Sequence, residues 1–179
     1  MKSFRHLAPL LVAVAVLLGL SRLCVPRFLS PENLLELAQQ IAVNAILASG
    51  MPLVILIGGI DLSVGAVVAL VGTVTVALLP ECGCAVALLG GLAVAAAFGA
   101  MNGACAAKTR MPPFIITLAT MLMARGVALR FNEGRPLAVP DSERLFLALG
   151  NARLFGVLPV PVLLMAAALG VMAVLLHRT

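Results

Sequence analysis

The sequence predicts an all-α membrane protein, a polytopic bundle of about six transmembrane helices. Hydrophobic residues make up 63% of the 179 residues and charged residues only 11%, whereas a soluble domain carries about 25% charged residues. The apolar residues form runs long enough to cross a hydrocarbon core of about 30 Å as helices, and these runs lack the alternating pattern of barrel strands. We therefore expect one multi-pass transmembrane domain over residues 1–179.

Six stretches have the length and apolar character of membrane spans. They lie near residues 7–25, 34–57, 60–79, 84–107, 113–131 and 159–176. The first follows a basic N-terminus, but no signal-peptide cleavage site follows it cleanly, so we interpret it as an uncleaved helix. The segment from Ser30 to Asn33 supplies a cap and an acidic first turn for the second span, and prolines open the fifth and sixth.

The fourth span carries a small residue at every fourth position. This stripe includes Gly91, Gly99 and Gly103. Small side chains let another helix backbone approach closely, which is how helices associate where lipid removes the hydrophobic drive. We expect these three glycines to pack against other helices of the bundle.

Residues 132–158 form the only long polar stretch, which we interpret as an extramembrane loop with a short helix across residues 143–149. With six spans, both chain ends lie on one side of the membrane. Basic residues favour the cytoplasm for that side, and the residues concerned are Lys2, Arg5, Lys108, Arg110 and Arg178. We expect a cytoplasmic N-terminus.

The break between the second and third spans, Gly58-Gly59-Ile60-Asp61, carries the only carboxylate deep in the apolar sequence. A charge at the centre of a membrane helix costs about 3 kcal/mol or more, so the position of Asp61 requires a structural or functional explanation. Asp61 or Ser63 can cap the third helix, and helix ends that meet inside a membrane can also line a solute path. Both roles stay open, and the candidate residues for the path or the break are Asn44, Gly58, Gly59, Asp61 and Ser63.

Other polar residues also lie deep in the spans. We expect each of them to make an interhelical hydrogen bond worth about 1 kcal/mol. They are Gln39, Gln40, Asn44, Asn102, Thr117 and Thr120.

The chain lacks the residues that several classes of function require. His6 and His177 stand at the chain ends, so no histidine can serve a buried nucleophile, and no G-x-x-x-x-G-K-[ST] phosphate loop occurs. Cys82-Gly83-Cys84 lacks the spacer of a zinc or redox pair. The basic residues are scattered, and Trp and Tyr are absent, which excludes a nucleic-acid groove. We expect no enzyme activity, no cofactor and no metal.

The run from Asn33 to Leu70 has a recognisable pattern. It reads NLLELAQQIAVNAILASGMPLVILIGGIDLSVGAVVAL and contains the element G-G-I-D-L-S-V-G. This run resembles the signature stretch of the membrane permeases of bacterial ribose/xylose/galactose-type ABC importers. The likeness continues through Gly99 to Gly103 and through Pro113 to Gly126, and it covers most of residues 30–179.

The resemblance implies a permease in the bacterial inner membrane that forms part of the path for a monosaccharide or similar solute. Its partners would be ABC ATPase subunits, a periplasmic solute-binding protein and a second permease copy. Permeases of this family continue with further helices, so we expect that the chain corresponds to the N-terminal half, as a fragment, a truncated gene product or half of a split permease. It would work with a second permease copy or with the missing C-terminal half. Two alternatives remain open: a secondary carrier or ion-coupled channel that uses Asp61, and a membrane scaffold that binds helices through the small-residue stripe.

Overall fold

The part of the chain that the structure describes is all-α, as the sequence predicts, apart from one small β-hairpin that it does not predict. The computed structural model describes residues 2–131 and 133–178, with the backbone alone for residues 2–8 and 178. Asn132 and Thr179 lie outside the described residues, as do the side chains of Lys2, Arg5 and Arg178, on which the predicted orientation partly depends. The helices are α1 (Lys2–Cys24), α2 (Pro31–Leu56), α3 (Val64–Lys108), α4 (Pro113–Phe131), α5 (Arg144–Asn151) and α6 (Val160–Arg178), and the strands are β1 (Arg153–Leu154) and β2 (Leu158–Pro159).

Within the described residues, α2, α3, α4 and α6 are long and apolar enough to cross a membrane. Helix α1 lies at the first predicted span. Its apolar part with described side chains, Pro9–Cys24, is shorter than the 18 residues or more of those four helices. The large apolar residues of α1 from Leu10 to Leu23 are at least 44% exposed, so this helix presents its surface outward on nearly every side. Such a surface is stable only in lipid or against another helix.

Helix α3 consists of two antiparallel arms that meet at Gly83. A straight helix of its 45 residues would be about 68 Å long, more than twice the thickness of a hydrocarbon core of about 30 Å. Gly83 has φ 75° and ψ 168°, which are not helical, and Asn102 Nδ2 lies 3.0 Å from Ser63 Oγ although the two residues are 39 apart in sequence. The first arm (64–82) and the second arm (84–108) match the third and fourth predicted spans, except that the first arm begins at Val64 rather than at residue 60.

The two arms pack with α4 into one group. Leu70 of the first arm forms a buried core with Ala124 and Ala128 of α4, and Val94 and Phe98 of the second arm pack against it. Nearer the turn, Gly91 allows close approach, because a Cβ atom there would overlap Thr75 Oγ1 of the first arm. The absence of a side chain at residue 91 therefore sets the separation of the arms.

A second group consists of α2, α5, the β1–β2 hairpin and α6. Ser30 caps α2 by accepting the N–H of Asn33 at 3.3 Å, as the sequence predicts. Helices α2 and α6 run parallel, because Pro161 lies beside α2 residues 36–43 while α6 residues 169–176 lie beside α2 residues 45–52. The short helix predicted over residues 143–149 is present as α5, and its Gly150 carbonyl accepts a 2.9 Å hydrogen bond from Gln39 of α2.

Candidate functional site at the helix break

Helix α2 ends at the two glycines in a Schellman motif. The Gly58 N–H donates to the Ile55 carbonyl at 2.9 Å, and the Gly59 N–H donates to the Val54 carbonyl at 2.9 Å. Gly58 has φ 74°, in the left-handed region where a side chain is unfavourable. A Cβ atom on buried Gly59 would lie 3.2 Å from the Val54 carbonyl oxygen. Gly58 is therefore favoured by its backbone conformation, and Gly59 by close packing.

Thr117 of α4 provides hydrogen bonds to the backbone beyond the break. Its hydroxyl accepts the N–H of Leu62 at 3.2 Å and lies within donating distance of the Ile60 carbonyl, at 3.1 Å. The single hydroxyl proton is shared with the Phe114 carbonyl of its own helix, at 3.3 Å. Segment 57–63 is not helical, so its backbone N–H and C=O groups need hydrogen-bond partners other than those of a helix. A side chain from a distant helix is one of those partners here.

A chain of side-chain hydrogen bonds links Asp61 to α4. Asp61 Oδ1 accepts the N–H of Ser63 at 2.8 Å and its hydroxyl at 2.6 Å. Ser63 Oγ in turn accepts from Asn102 Nδ2 at 3.0 Å, and Thr120 donates to Asn102 Oδ1 at 2.6 Å. Ser63, Asn102 and Thr120 are all buried. The interhelical bond expected for Asn102 and Thr120 is thus present, whereas Thr117 bonds the non-helical segment between α2 and α3.

Neither of the two candidate side chains bonds the first-turn N–H groups of the third span. Ser63 occupies the N-cap position of α3, but its side chain makes no capping hydrogen bond to the helix. The Ser63 hydroxyl is instead used between Asp61 and Asn102. Capping by Ser63 is therefore wrong. Asp61 accepts the N–H at the N-cap residue itself, which delays the helix to Val64.

A cavity of about 450 Å³ opens beside this network, between the end of α2, the second arm and the start of α4. Asp61, Asn102 and Thr117 contribute polar atoms to its otherwise largely apolar lining. Gly99 and Gly103, on the same arm as Asn102, also line the cavity. No atom lies within 4 Å of the position that a Cβ would take on either glycine. In this chain those two glycines leave space, whereas Gly91 of the same stripe makes close contact.

The structure brings together most of the candidate residues. Gly59 and Asp61 line the cavity, Gly58 ends the helix beside it, and Ser63 lies behind it in the hydrogen-bonded chain. Asn44 is exposed on α2 and is not among the residues that line the cavity. In the described part of the chain, no group of three or more His, Cys, Asp or Glu side chains is placed to hold a metal ion.

Comparison with known proteins agrees with the resemblance seen in the signature run. Residues 33–179 match the family described as branched-chain amino acid transport system / permease component. The chain is 41% identical to the ribose import permease protein of Escherichia coli over 172 residues, which cover 94% of this chain and 53% of that protein. It is 38% identical to the ribose import permease protein of Bacillus subtilis (86% and 48% covered) and 33% identical to the L-arabinose transport system permease protein of Escherichia coli (95% and 51% covered).

The chain spans about half the length of these curated relatives. No solved structure matches it at a comparable level of significance. The predicted resemblance to sugar-type permeases is confirmed by the relatives, all of which are named as sugar permeases. Together with its long apolar helices, the family match establishes that the chain is a multi-pass membrane protein and belongs to the branched-chain amino acid transport system / permease component family.

Proposed function

We propose that the chain is part of the transmembrane permease subunit of an ABC-type importer for a monosaccharide or a similar small solute. The observation that carries this proposal is the cavity at the helix break, where Asp61, Asn102 and Thr117 line a largely apolar wall. Of these, the partly exposed Asp61 carboxylate keeps oxygen lone pairs that can accept hydrogen bonds from the hydroxyl groups of a passing sugar. Relatives named for ribose and L-arabinose support the same class of solute.

The proposal assigns solute selection and energy supply to other polypeptides. The chain has no Trp or Tyr to stack on a sugar ring, so a periplasmic solute-binding protein selects the sugar. The sequence has no phosphate-binding loop, so ABC ATPase subunits hydrolyse the nucleotide. A second permease copy, or the remaining half of a permease, completes the path beside the open wall at Gly99 and Gly103.

Uptake into proteoliposomes tests this function. The chain is reconstituted with its cognate ATPase, solute-binding protein and the remaining permease segment, and ATP-dependent entry of labelled ribose and arabinose is measured. Gly103→Leu projects a large side chain into the cavity, and we expect it to abolish uptake while the assembly still forms. Gly170→Leu is the matched control, because Gly170 is an exposed helical glycine on α6 that also has no atom within 4 Å.

Three results would contradict the proposal. Unchanged uptake in Gly103→Leu would remove the cavity from the path. Uptake that needs no ATPase and is lost in Asp61→Asn would favour a secondary carrier or an ion-coupled channel. Assembly with no solute entry under any condition would favour a scaffold.

We also propose that the protein lies in the bacterial inner membrane with its N-terminus in the cytoplasm. All four cysteines are free, so their accessibility reports the orientation. We expect Cys105 to react with an impermeant thiol reagent only from the cytoplasmic side, and Cys24, Cys82 and Cys84 only from outside. Variants that keep Cys82 alone or Cys105 alone make the measurement unambiguous, and the opposite labelling pattern would reverse the orientation.

A further inference from the structure

The segment between α4 and α6 carries an exposed apolar surface that the proposed function does not use. We propose that residues 144–157, here called the interfacial segment, lie in the lipid headgroup layer with their apolar side chains inserted among the upper acyl chains. The segment comprises α5, β1 and the turn that leads to β2. Its most exposed apolar side chains are Leu145 at 66%, Phe155 at 93% and Val157 at 59%.

Phe155 stands at a position where an aromatic side chain is conformationally unfavourable. Strands β1 and β2 pair antiparallel with Leu154 opposite Leu158, and the Val157 N–H donates to the Leu154 carbonyl at 3.2 Å. The two central residues of this turn, Phe155 and Gly156, have φ 54° and 74°. A turn of this type favours Asn or Gly at its first central position, and a bulky residue there costs free energy. Insertion of the Phe155 side chain into lipid would offset this cost.

The register of α2 and α6 sets the depth of the segment. The 19 residues of α6 span about 28 Å, which is close to the full hydrocarbon thickness of about 30 Å. One hydrocarbon boundary therefore passes near Val160, the first residue of α6 and the next residue after β2. Because α6 is parallel to α2 and Pro161 lies beside α2 residues 36–43, the same boundary crosses α2 close to those residues.

Two contacts hold the interfacial segment at that boundary. Gln39 Nε2 donates to the Gly150 carbonyl at 2.9 Å, and Arg153 pairs with Glu36 at 3.8 Å. Both partners on α2 lie within the stretch that the boundary crosses. The segment is therefore held beside the membrane surface and not raised above it into water, which favours lipid over a soluble protein as the occupant.

The side chains of the segment match the chemistry of that layer. Aromatic residues are favoured at the membrane interface, where amphipathic elements bury an apolar face to a depth of about 5–10 Å. Arg144, at the start of α5, is exposed next to Leu145. A guanidinium at this level can bind lipid phosphate while the neighbouring leucine enters the acyl region.

Single-tryptophan variants test the depth of the segment, because the chain has no Trp or Tyr of its own. The full chain is reconstituted in phosphatidylcholine/phosphatidylglycerol vesicles as Phe155→Trp, and separately as Leu145→Trp. Ser142→Trp, in the polar loop before the segment, is the aqueous control, and Leu169→Trp, midway along α6, is the deep control. Emission is measured with acrylamide in the water and with lipids brominated either near the top or near the end of the acyl chains.

For Phe155→Trp and Leu145→Trp we expect a blue-shifted emission maximum relative to Ser142→Trp and several-fold weaker quenching by acrylamide. Lipids brominated near the top of the chain should quench both more than deeply brominated lipids, in the reverse order to Leu169→Trp. Acrylamide quenching equal to that of Ser142→Trp, with no effect of brominated lipid, would overturn the proposal. Protection from both quenchers would also overturn it, because the segment would then be covered by protein.

Discussion

Replacing Thr117 by valine tests whether α4 holds the helix break together. Valine has nearly the same shape as threonine but cannot hydrogen-bond. The 3.2 Å bond from the Leu62 N–H and the 3.1 Å bond to the Ile60 carbonyl would both be lost. Thr117 is only 5% exposed, so water has little access to replace them. Thr117→Ser keeps the hydroxyl and should restore both bonds.

Two estimates of the free-energy cost of this substitution differ. Interhelical side-chain hydrogen bonds in membranes average only about 0.6 kcal/mol, because the separated helices find other partners. A buried donor left without any partner costs about 1–3 kcal/mol. We expect a cost nearer the second value, because Thr117 is buried and its partners are backbone groups of a non-helical segment. We expect Thr117→Val to lower the free energy of unfolding by about 2 kcal/mol, which is roughly a thirtyfold change in the folding equilibrium.

Unfolding in mixed micelles by added dodecyl sulfate, followed by far-ultraviolet circular dichroism, measures this loss. Thr73→Val is the matched control, because the Thr73 hydroxyl donates only to the Ala69 carbonyl of its own helix, at 2.9 Å. We expect that control to stay within about 0.5 kcal/mol of the native chain. Equal unfolding midpoints for the two valine variants would refute the reasoning, and would mean that water reaches the backbone at the break.

Two further predictions use the same unfolding assay. Gly58→Ala should destabilise by about 1 kcal/mol through backbone strain alone, since φ is 74° and no atom lies within 4 Å of the new Cβ; Gly72→Ala, at an open helical site, should instead be neutral or stabilising by up to about 1 kcal/mol. Gly91→Ala should destabilise by about 1–3 kcal/mol, because its Cβ would overlap Thr75 Oγ1. Gly99→Ala meets no atom in this chain and, like Gly72→Ala, should be neutral or stabilising by up to about 1 kcal/mol. If the alanine variants at Gly91 and Gly99 unfolded alike, close packing of the two α3 arms at Gly91 would be excluded.

The sequence predicted those features of the fold that depend on local composition. Helix positions followed from the length of the apolar runs, because the bilayer imposes one thickness on every span. The break at Gly58 and Gly59 could also be predicted locally, because helices commonly end at a glycine in the left-handed conformation. The resemblance of the signature run added the family.

Features that depend on how helices face one another could not be predicted. Thr117 was recognisable as a polar residue at depth, but its bonds to Ile60 and Leu62 cross more than fifty residues and depend on the rotation of α4. The small-residue stripe shows the same limit. Gly91 and Gly99 have the same spacing pattern, yet one contacts the neighbouring arm and the other borders a cavity. Spacing does not encode which neighbour a helix face meets.

The sharp turn at Gly83 has a consequence for biosynthesis. The two arms of α3 are joined by a single non-helical residue, so they can leave the translocation machinery as a pair rather than one after the other. Asp61 and Ser63 precede one arm and Asn102 belongs to the other, and their hydrogen bonds link the open ends of the hairpin. Paired entry lets these polar groups meet before either faces lipid alone, where a single charged group costs about 3 kcal/mol. We therefore expect the two arms of α3 to enter the membrane together.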